Sequence, residues 1–423
     1  MRLCHRDEYK CHEYGTHYYM ALLKAYGNQK DVERASRIHD DIVRRGLLEK
    51  DISLGNTLVS VYAKCGALAK ARQAFDQIPV RDVVSWNALI SGYAQAGHSA
   101  EALNCFDRMR REGLYPSSVT YICVLKACAS IREIERGEII HAEIVREGFL
   151  QKHVSVGNAL VDMYAKCGAI LRAQEVFDEL ELRNIVSWNA LITGYVNHGY
   201  GEEALKCFQR MQRDGFSANK VTFLCLLKAC GSVGLVEKGK ELHDEIVRER
   251  LLEKDPLVGT ALVDMYAKCN ALLQAWEVFD NLPVWDLVSW NAIISGYTQH
   301  GKDKEALNCF EYMQLGGFSP DVVTFVCILK SCGNIGALDR GKEIHAEVVK
   351  ERLQNNVLIG TALIDMYAKC DALVQAKTVF DQLQSRTAVC WNSLITGYAH
   401  QGHGQEALNC FEQMQRDGFS ADV

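Results

Sequence analysis

The chain has 423 residues, 48% of them hydrophobic and 24% charged, and carries a net charge of -6. That balance is too apolar for a disordered chain and too evenly charged for a membrane bundle, and no apolar run approaches the roughly 20 residues of a spanning helix. The mild acidity excludes coating nucleic acid through bulk positive charge, so any such contact has to be local. With only 5 prolines to interrupt helices, the chain is expected to be all-helical.

Residues 1–15 read as an N-terminal segment or partial repeat. From Thr16 three related kinds of segment then cycle without a gap: 36 residues at 16–51, 31 at 52–82 and 35 at 83–117. The cycle returns at 118–153, 154–184 and 185–219, at 220–255, 256–286 and 287–321, and at 322–356, 357–387 and 388–422, so twelve units fill 16–422. Each reads as a helical hairpin. In the unit at 83–117, Val84, Ala88, Leu89 and Tyr93 fall at helical spacing, Gly97 stops the first helix, and Ala102, Leu103, Phe106 and Met109 stripe the second before Gly113 ends it. Gly199, Gly301 and Gly402 repeat the first stop, and Gly215, Gly317 and Gly418 the second. Helices this short, apolar on more than one side, have to pack between neighbours. The expected fold is a right-handed α-solenoid superhelix of about twelve helix-turn-helix repeats, which has no single core to outgrow.

The 17 cysteines follow the same period. Cys65, Cys167, Cys269 and Cys370 form one series, Cys105, Cys207, Cys309 and Cys410 another, Cys123, Cys225 and Cys327 a third, and Cys128, Cys230 and Cys332 a fourth. Only Cys4, Cys11 and Cys390 stand outside, and there is no CxxC, so buried reduced thiols are expected rather than disulfides or a metal site. No cofactor is implied.

Trp86, Leu89, Tyr93, Ala102 and Phe106 are similar to a tetratricopeptide repeat, a protein-binding scaffold, but such arrays keep a 34-residue period. The changing unit length, with VVSWNALISGYAQAGHSAEALNCF, TYICVLKACA, GKEIHAEVV and VGNALVDMYAKCGA, closely resembles the plant pentatricopeptide repeat family. The likeness is to its PLS subclass, in which a 35-residue P unit alternates with long L and short S units. It makes L units of 16–51, 118–153, 220–255 and 322–356, S units of 52–82, 154–184, 256–286 and 357–387, and P units of the rest.

The resemblance implies single-stranded RNA recognition, one base per repeat, by short polar side chains exposed at one place in each unit. The fifth residues fit: Asn87, Asn189, Asn291 and Asn392 in P units, Asn56, Asn158, Thr260 and Thr361 in S units. In the family the last residue cooperates with the fifth. Asn56 with Asp82 then resembles a uracil reader, Asn87 with Ser117 a cytosine reader, and Asn158 with Asn184 and Asn189 with Asn219 readers of either pyrimidine. Thr260 with Asp286 is similar to a guanine reader, Asn291 with Asp321 and Asn392 with Asp422 to uracil readers, and Thr361 with Thr387 to a weak purine reader. An aspartate is acceptor-only and suits the ring N–H that uracil and guanine have and cytosine lacks. The L units carry Met20, Ile122, Leu224 and Val326, which cannot hydrogen-bond a base edge and serve as spacers. The implied RNA partner is 5′-U-C-x-Y-Y-x-G-U-x-R-U. By the same resemblance Val84, Val186, Val288 and Val389 pack on a base, unless they belong to the core between repeats. Lys64, Lys166, Lys268 and Lys369 contact phosphates, unless they are simply solvated.

His141-Ala-Glu143 and His345-Ala-Glu347 match the H-x-E of zinc nucleobase deaminases, which editing factors of this family often carry. No P-C-x-x-C follows, and His39-Asp-Asp41 and His243-Asp-Glu245 occupy the same place in the other long units, so helix packing and no enzyme is the expectation. The chain stops one residue after a P unit with no E or DYW-type extension in view. That leaves a truncated gene model, a fragment, or a factor that recruits a deaminase-bearing or accessory editing protein in trans. The implied role is recognition of an organellar transcript for C-to-U editing, with transcript stabilisation or processing as the alternative. The family implies a mitochondrion or chloroplast, although Asp7, Glu8 and Glu13 make the first residues unlike an acid-poor transit peptide.

Overall fold

The computed structural model describes residues 4–420, with side chains from residue 15 onward. Among them are 26 helices and no strand, and no helix is long and apolar enough to cross a membrane. They form two compact bodies, Met1–Ala218 and Asn219–Val423. Each consists of antiparallel helix pairs stacked in chain order, so the all-helical repeat architecture expected from the periodicity is present in both.

The two helices of a pair begin differently. Most first helices open on a polar side chain that accepts from their second or third backbone N–H: Asp82 before Val83–Gln95, Asn184 before Ile185–Asn197, Asp321 before Val322–Asn334. Second helices such as Ser99–Arg111 and Leu272–Asp280 start without a side-chain cap. All eight glycines that mark helix ends in the P units are left-handed, with φ between +67° and +85°. Two sequence boundaries shift. The first helix runs unbroken from Cys4 to Gln29 across the 15/16 boundary, because no proline or left-handed residue interrupts it there. Two long units also end in an additional turn, Phe149–Lys152 and Leu251–Lys254.

Successive pairs are tied by three recurring contacts. The tryptophan of each P unit meets edge to face the phenylalanine in the last turn of the preceding S unit's second helix: Trp86 with Phe75, Trp188 with Phe177, Trp290 with Phe279 and Trp391 with Phe380, at 4.4–4.6 Å between centroids. First helices approach closely because Gly92, Gly194, Gly296 and Gly397 lie against Ala63, Ala165, Ala267 and Ala368; a Cβ on any of these glycines would come within 2.5–2.8 Å of the alanine methyl. Third, the histidine of each L unit hydrogen-bonds a tyrosine hydroxyl of the next S unit: His39 to Tyr62, His141 to Tyr164, His243 to Tyr266 and His345 to Tyr367, at 2.9–3.1 Å. The cysteines among the residues with described side chains are free, and burial pushes the Cys128, Cys207, Cys230, Cys309 and Cys332 thiols up to about 12. Cys167, Cys269 and Cys370 point their sulfurs at the Cys128, Cys230 and Cys332 carbonyls, 3.5–3.9 Å away, which accounts for two of the cysteine series as packing partners.

Two predictions follow from this packing. Lys30, Arg132, Gly234 and Gly336 hold one register position, left-handed in all four, but only two are glycine. Arg132→Gly should stabilise the chain by about 1 kcal/mol in denaturant titration, because the glycine carries no Cβ penalty there; a loss of stability would contradict the backbone assignment. Burial holds the His39, His141, His243 and His345 rings below the usual imidazole range. As the pH falls through about 6.5 the unfolded chain takes up these protons before the folded one, so this stability is full above that pH and is lost below it. The unfolding midpoint should therefore drop between about pH 7 and pH 5, and His345→Gln should flatten part of the drop.

Candidate functional site

The residue that ends one unit is also the N-cap of the next first helix, and this places it beside the fifth residue of its own unit. Four of the expected pairs meet directly: Asn56 Nδ2 donates to Asp82 at 3.4 Å, Asn87 to Ser117 at 3.0 Å, Asn158 to Asn184 at 3.2 Å and Asn291 to Asp321 at 3.0 Å. The caps hold the terminal side chains by bonds at both ends. Asp321 Oδ1 accepts from the Thr324 N–H, and the Asp321 N–H donates to the Thr324 hydroxyl, a reciprocal capping box. Asp82 is buried enough to raise its pKa, but bonds from the Ser85 backbone and hydroxyl and from Asn56 outweigh this and hold the carboxyl below its usual range. It is ionised at neutral pH.

Two other pairs differ. The Thr260 hydroxyl turns back to the Pro256 carbonyl at 3.3 Å, while Asp286 caps Ser289 at 2.8 Å. Thr361 bonds the Val357 carbonyl at 2.7 Å and lies 3.0 Å from the Cys390 sulfur, and Thr387 lies 3.4 Å from that same sulfur. Asn189 stands in the first body and Asn219, a capping-box residue, opens the second. Asn392 is exposed, and Asp422 lies outside the described residues. One expectation needs correcting: Asn158, Asn189 and Thr260 are only 8% exposed, so these fifth residues are recessed rather than presented on an open turn, because the following helix covers them.

In the first body Met20, Asn56, Lys64, Asp82, Val84 and Asn87 line a groove of about 980 Å³. Val84, Val186, Val288 and Val389 are 55–58% exposed, which removes them from the core between repeats. The same position in other units is also apolar and exposed, at Val119, Val221, Val323, Leu257 and Leu358. Aligning all units at their second residue, rather than the P units alone, would have found these. Lys166, Lys268 and Lys369 bridge Asp162, Asp264 and Asp365 one turn earlier at 2.6–2.8 Å. Lys64, with Ser60 at that place, has no acidic partner among the described residues.

The H-x-E motifs do not assemble a metal site. Residues two apart on a helix point to opposite sides. His141 reaches forward to Tyr164, while Glu143 reaches back to Arg110 at 2.8 Å; His345 faces Tyr367, and Glu347 accepts from Gln314 at 2.7 Å. No cluster of three or more His, Cys, Asp or Glu suited to a metal occurs among the described residues.

The fold and the site define an α-helical tandem-repeat protein with a row of recessed polar side chains along its first helices. Models of the PPR repeat family match 81–130, 183–232, 285–334 and 386–423, and models of the PPR repeat match 18–47, 56–83, 158–185 and 221–251. Two chloroplastic pentatricopeptide repeat-containing proteins of Arabidopsis thaliana are each 37% identical, over 96% and 93% of this chain and 65% and 48% of their own length. A crystal structure of the pentatricopeptide repeat protein PPR10 in complex with an 18-nt psaJ RNA element superposes with a TM-score of 0.74 at 20% identity, covering 92% of this chain and 57% of that one. This chain belongs to the pentatricopeptide repeat family. It spans about half to two thirds of the length of these two relatives.

Proposed function

We propose that the chain binds single-stranded RNA in a sequence-specific way, each polar fifth residue with its capping partner reading one base. One observation carries this reading. The bonds that the carboxylates of Asp82, Asp286 and Asp321 accept from Asn56, Ser85, Ser289, Asn291 and Thr324 all go to Oδ1. None of these bonds uses Oδ2, which suits that oxygen to an outside donor, and each carboxylate is held by its helix cap. A held anionic acceptor in a narrow groove suits the ring N–H of uracil or guanine and repels the bare ring nitrogen of cytosine. The exposed second residues offer apolar surface for the base itself. The relative crystallised with RNA supports the same substrate class.

Within that reading the chain is a PLS-type specificity factor for an organellar transcript, supporting C-to-U editing whose chemistry is supplied by a deaminase-bearing partner. The naming of several relatives as chloroplastic supports an organellar site of action. The net charge of -6 and three lysines already paired with aspartate imply that affinity rests on base contacts more than on phosphate contacts.

Binding of the purified chain to 5′-U-C-x-Y-Y-x-G-U-x-R-U should exceed binding to a scrambled strand by at least about tenfold, with a shallow salt dependence. Equal affinity for both, or none, would point to a protein-binding scaffold instead. Asn291→Thr should move the preference at the facing nucleotide from U toward G, and an unchanged preference would sink the register.

A further inference from the structure

From the unit at 52–82 onward the third residue of each first helix is buried, but its chemistry differs between units. Where the preceding unit has a polar fifth residue, the third residue is Ser85, Thr120, Ser187, Thr222, Ser289, Thr324 or, once, Cys390. Where the preceding unit is an L unit with Met20, Ile122, Leu224 or Val326, the third residue is Leu54, Val156, Val258 or Ile359, each fully buried. Helix capping alone does not demand this, since Asp51, Asp255 and Asn356 cap the S-unit helices with no hydroxyl at the third position. The hydroxyls follow the polar fifth residues.

The geometry gives the reason. Thr120 Oγ1, Ser187 Oγ and Thr324 Oγ1 each lie 2.6 Å from the Oδ1 of Asn87, Asn158 and Asn291, the asparagine of the preceding unit. Each also accepts the backbone N–H of the cap residue, at 2.9–3.2 Å, and lies 3.0–3.2 Å from the cap side chain, so the shortest contact of its hydroxyl is the one to the amide oxygen. At Asn291 the other side of the amide faces the acceptor-only Asp321, so the amide cannot turn over without opposing two oxygens. Ser85 shows the alternative setting: its hydroxyl goes to Asp82 at 2.9 Å, and Asn56 Oδ1 is left buried without a partner.

We infer that the hydroxyl at the third position of the following unit is a positioning residue for base selection: it engages the asparagine Oδ1 and fixes the amide with its remaining N–H toward the groove. This rests on the base-reading proposal above. It adds a member from the next repeat to each reading pair. An amide held this way offers a donor, which suits a pyrimidine carbonyl. At Cys390 a weak thiol replaces the hydroxyl beside Thr361, so that unit should discriminate poorly.

The test measures affinities of the full chain for strands that differ only at the nucleotide facing Asn291. Thr324→Val keeps the shape but removes the hydroxyl, and should lower the U-over-C preference there by about three- to tenfold, the scale of one net hydrogen bond. Preferences at the other positions should hold, and Thr324→Ser should restore the lost one. Weaker binding to every strand with unchanged base preference would reduce the hydroxyl to a capping role and overturn the inference. A wild-type chain indifferent to the base facing Asn291 would instead bring down the base-reading proposal itself, and this inference with it.

Discussion

The side chain that ends one unit starts the next unit's helix. Because an α-helix leaves its first backbone N–H groups unpaired, a short acceptor at the N-cap is pinned by them in one rotamer. Asp82, Ser117, Asn184, Asp286 and Asp321 are held in this way. The bond that nucleates the helix therefore also aims the functional group, and a carboxylate whose Oδ1 serves the cap has its Oδ2 presented without further ordering cost. Most first helices are capped by a side chain and most second helices are not, which concentrates these bonds on the side that carries the polar row.

Spacing along that row comes from a second constraint. The close meeting of Gly92 with Ala63, and its three equivalents, lets adjacent first helices approach nearly to backbone contact. The Trp–Phe contacts, buried on the other side of the same helices, prevent them from sliding. Where a contact is missing a different residue replaces it. Arg81, Arg183 and Arg386 donate to the carbonyls of Phe75, Phe177 and Phe380, and Trp285 does the same to Phe279 at 3.0 Å while stacking parallel to its ring. The tie is set by a planar donor of the right reach rather than by charge.

The electrostatics are local for the same reason. Lys166, Lys268 and Lys369 are engaged by an aspartate one turn back in exposed pairs worth a few tenths of a kcal/mol, weak enough to exchange for another anion. In the groove of the first body Lys64 has no acidic partner among the described residues.

Much of this was legible in the linear chain. The repeated helix pairs, the glycine stops and the cysteine series follow from periodicity, because each unit buries its apolar surface only against its neighbours and so has to repeat the same residues at the same places, whereas the pairing of fifth with last residues came from the family resemblance. The recessed state of Asn158 and Thr260, the exposure of Val84, and the bond from Thr324 to Asn291 were decided by the tertiary structure. The first two depend on which face the following helix covers, and a hydrophobicity pattern with apolar residues all round cannot specify that. The third joins residues 33 positions apart in different units, a distance along the chain that only the stacking of one capped helix against the next converts into 2.6 Å.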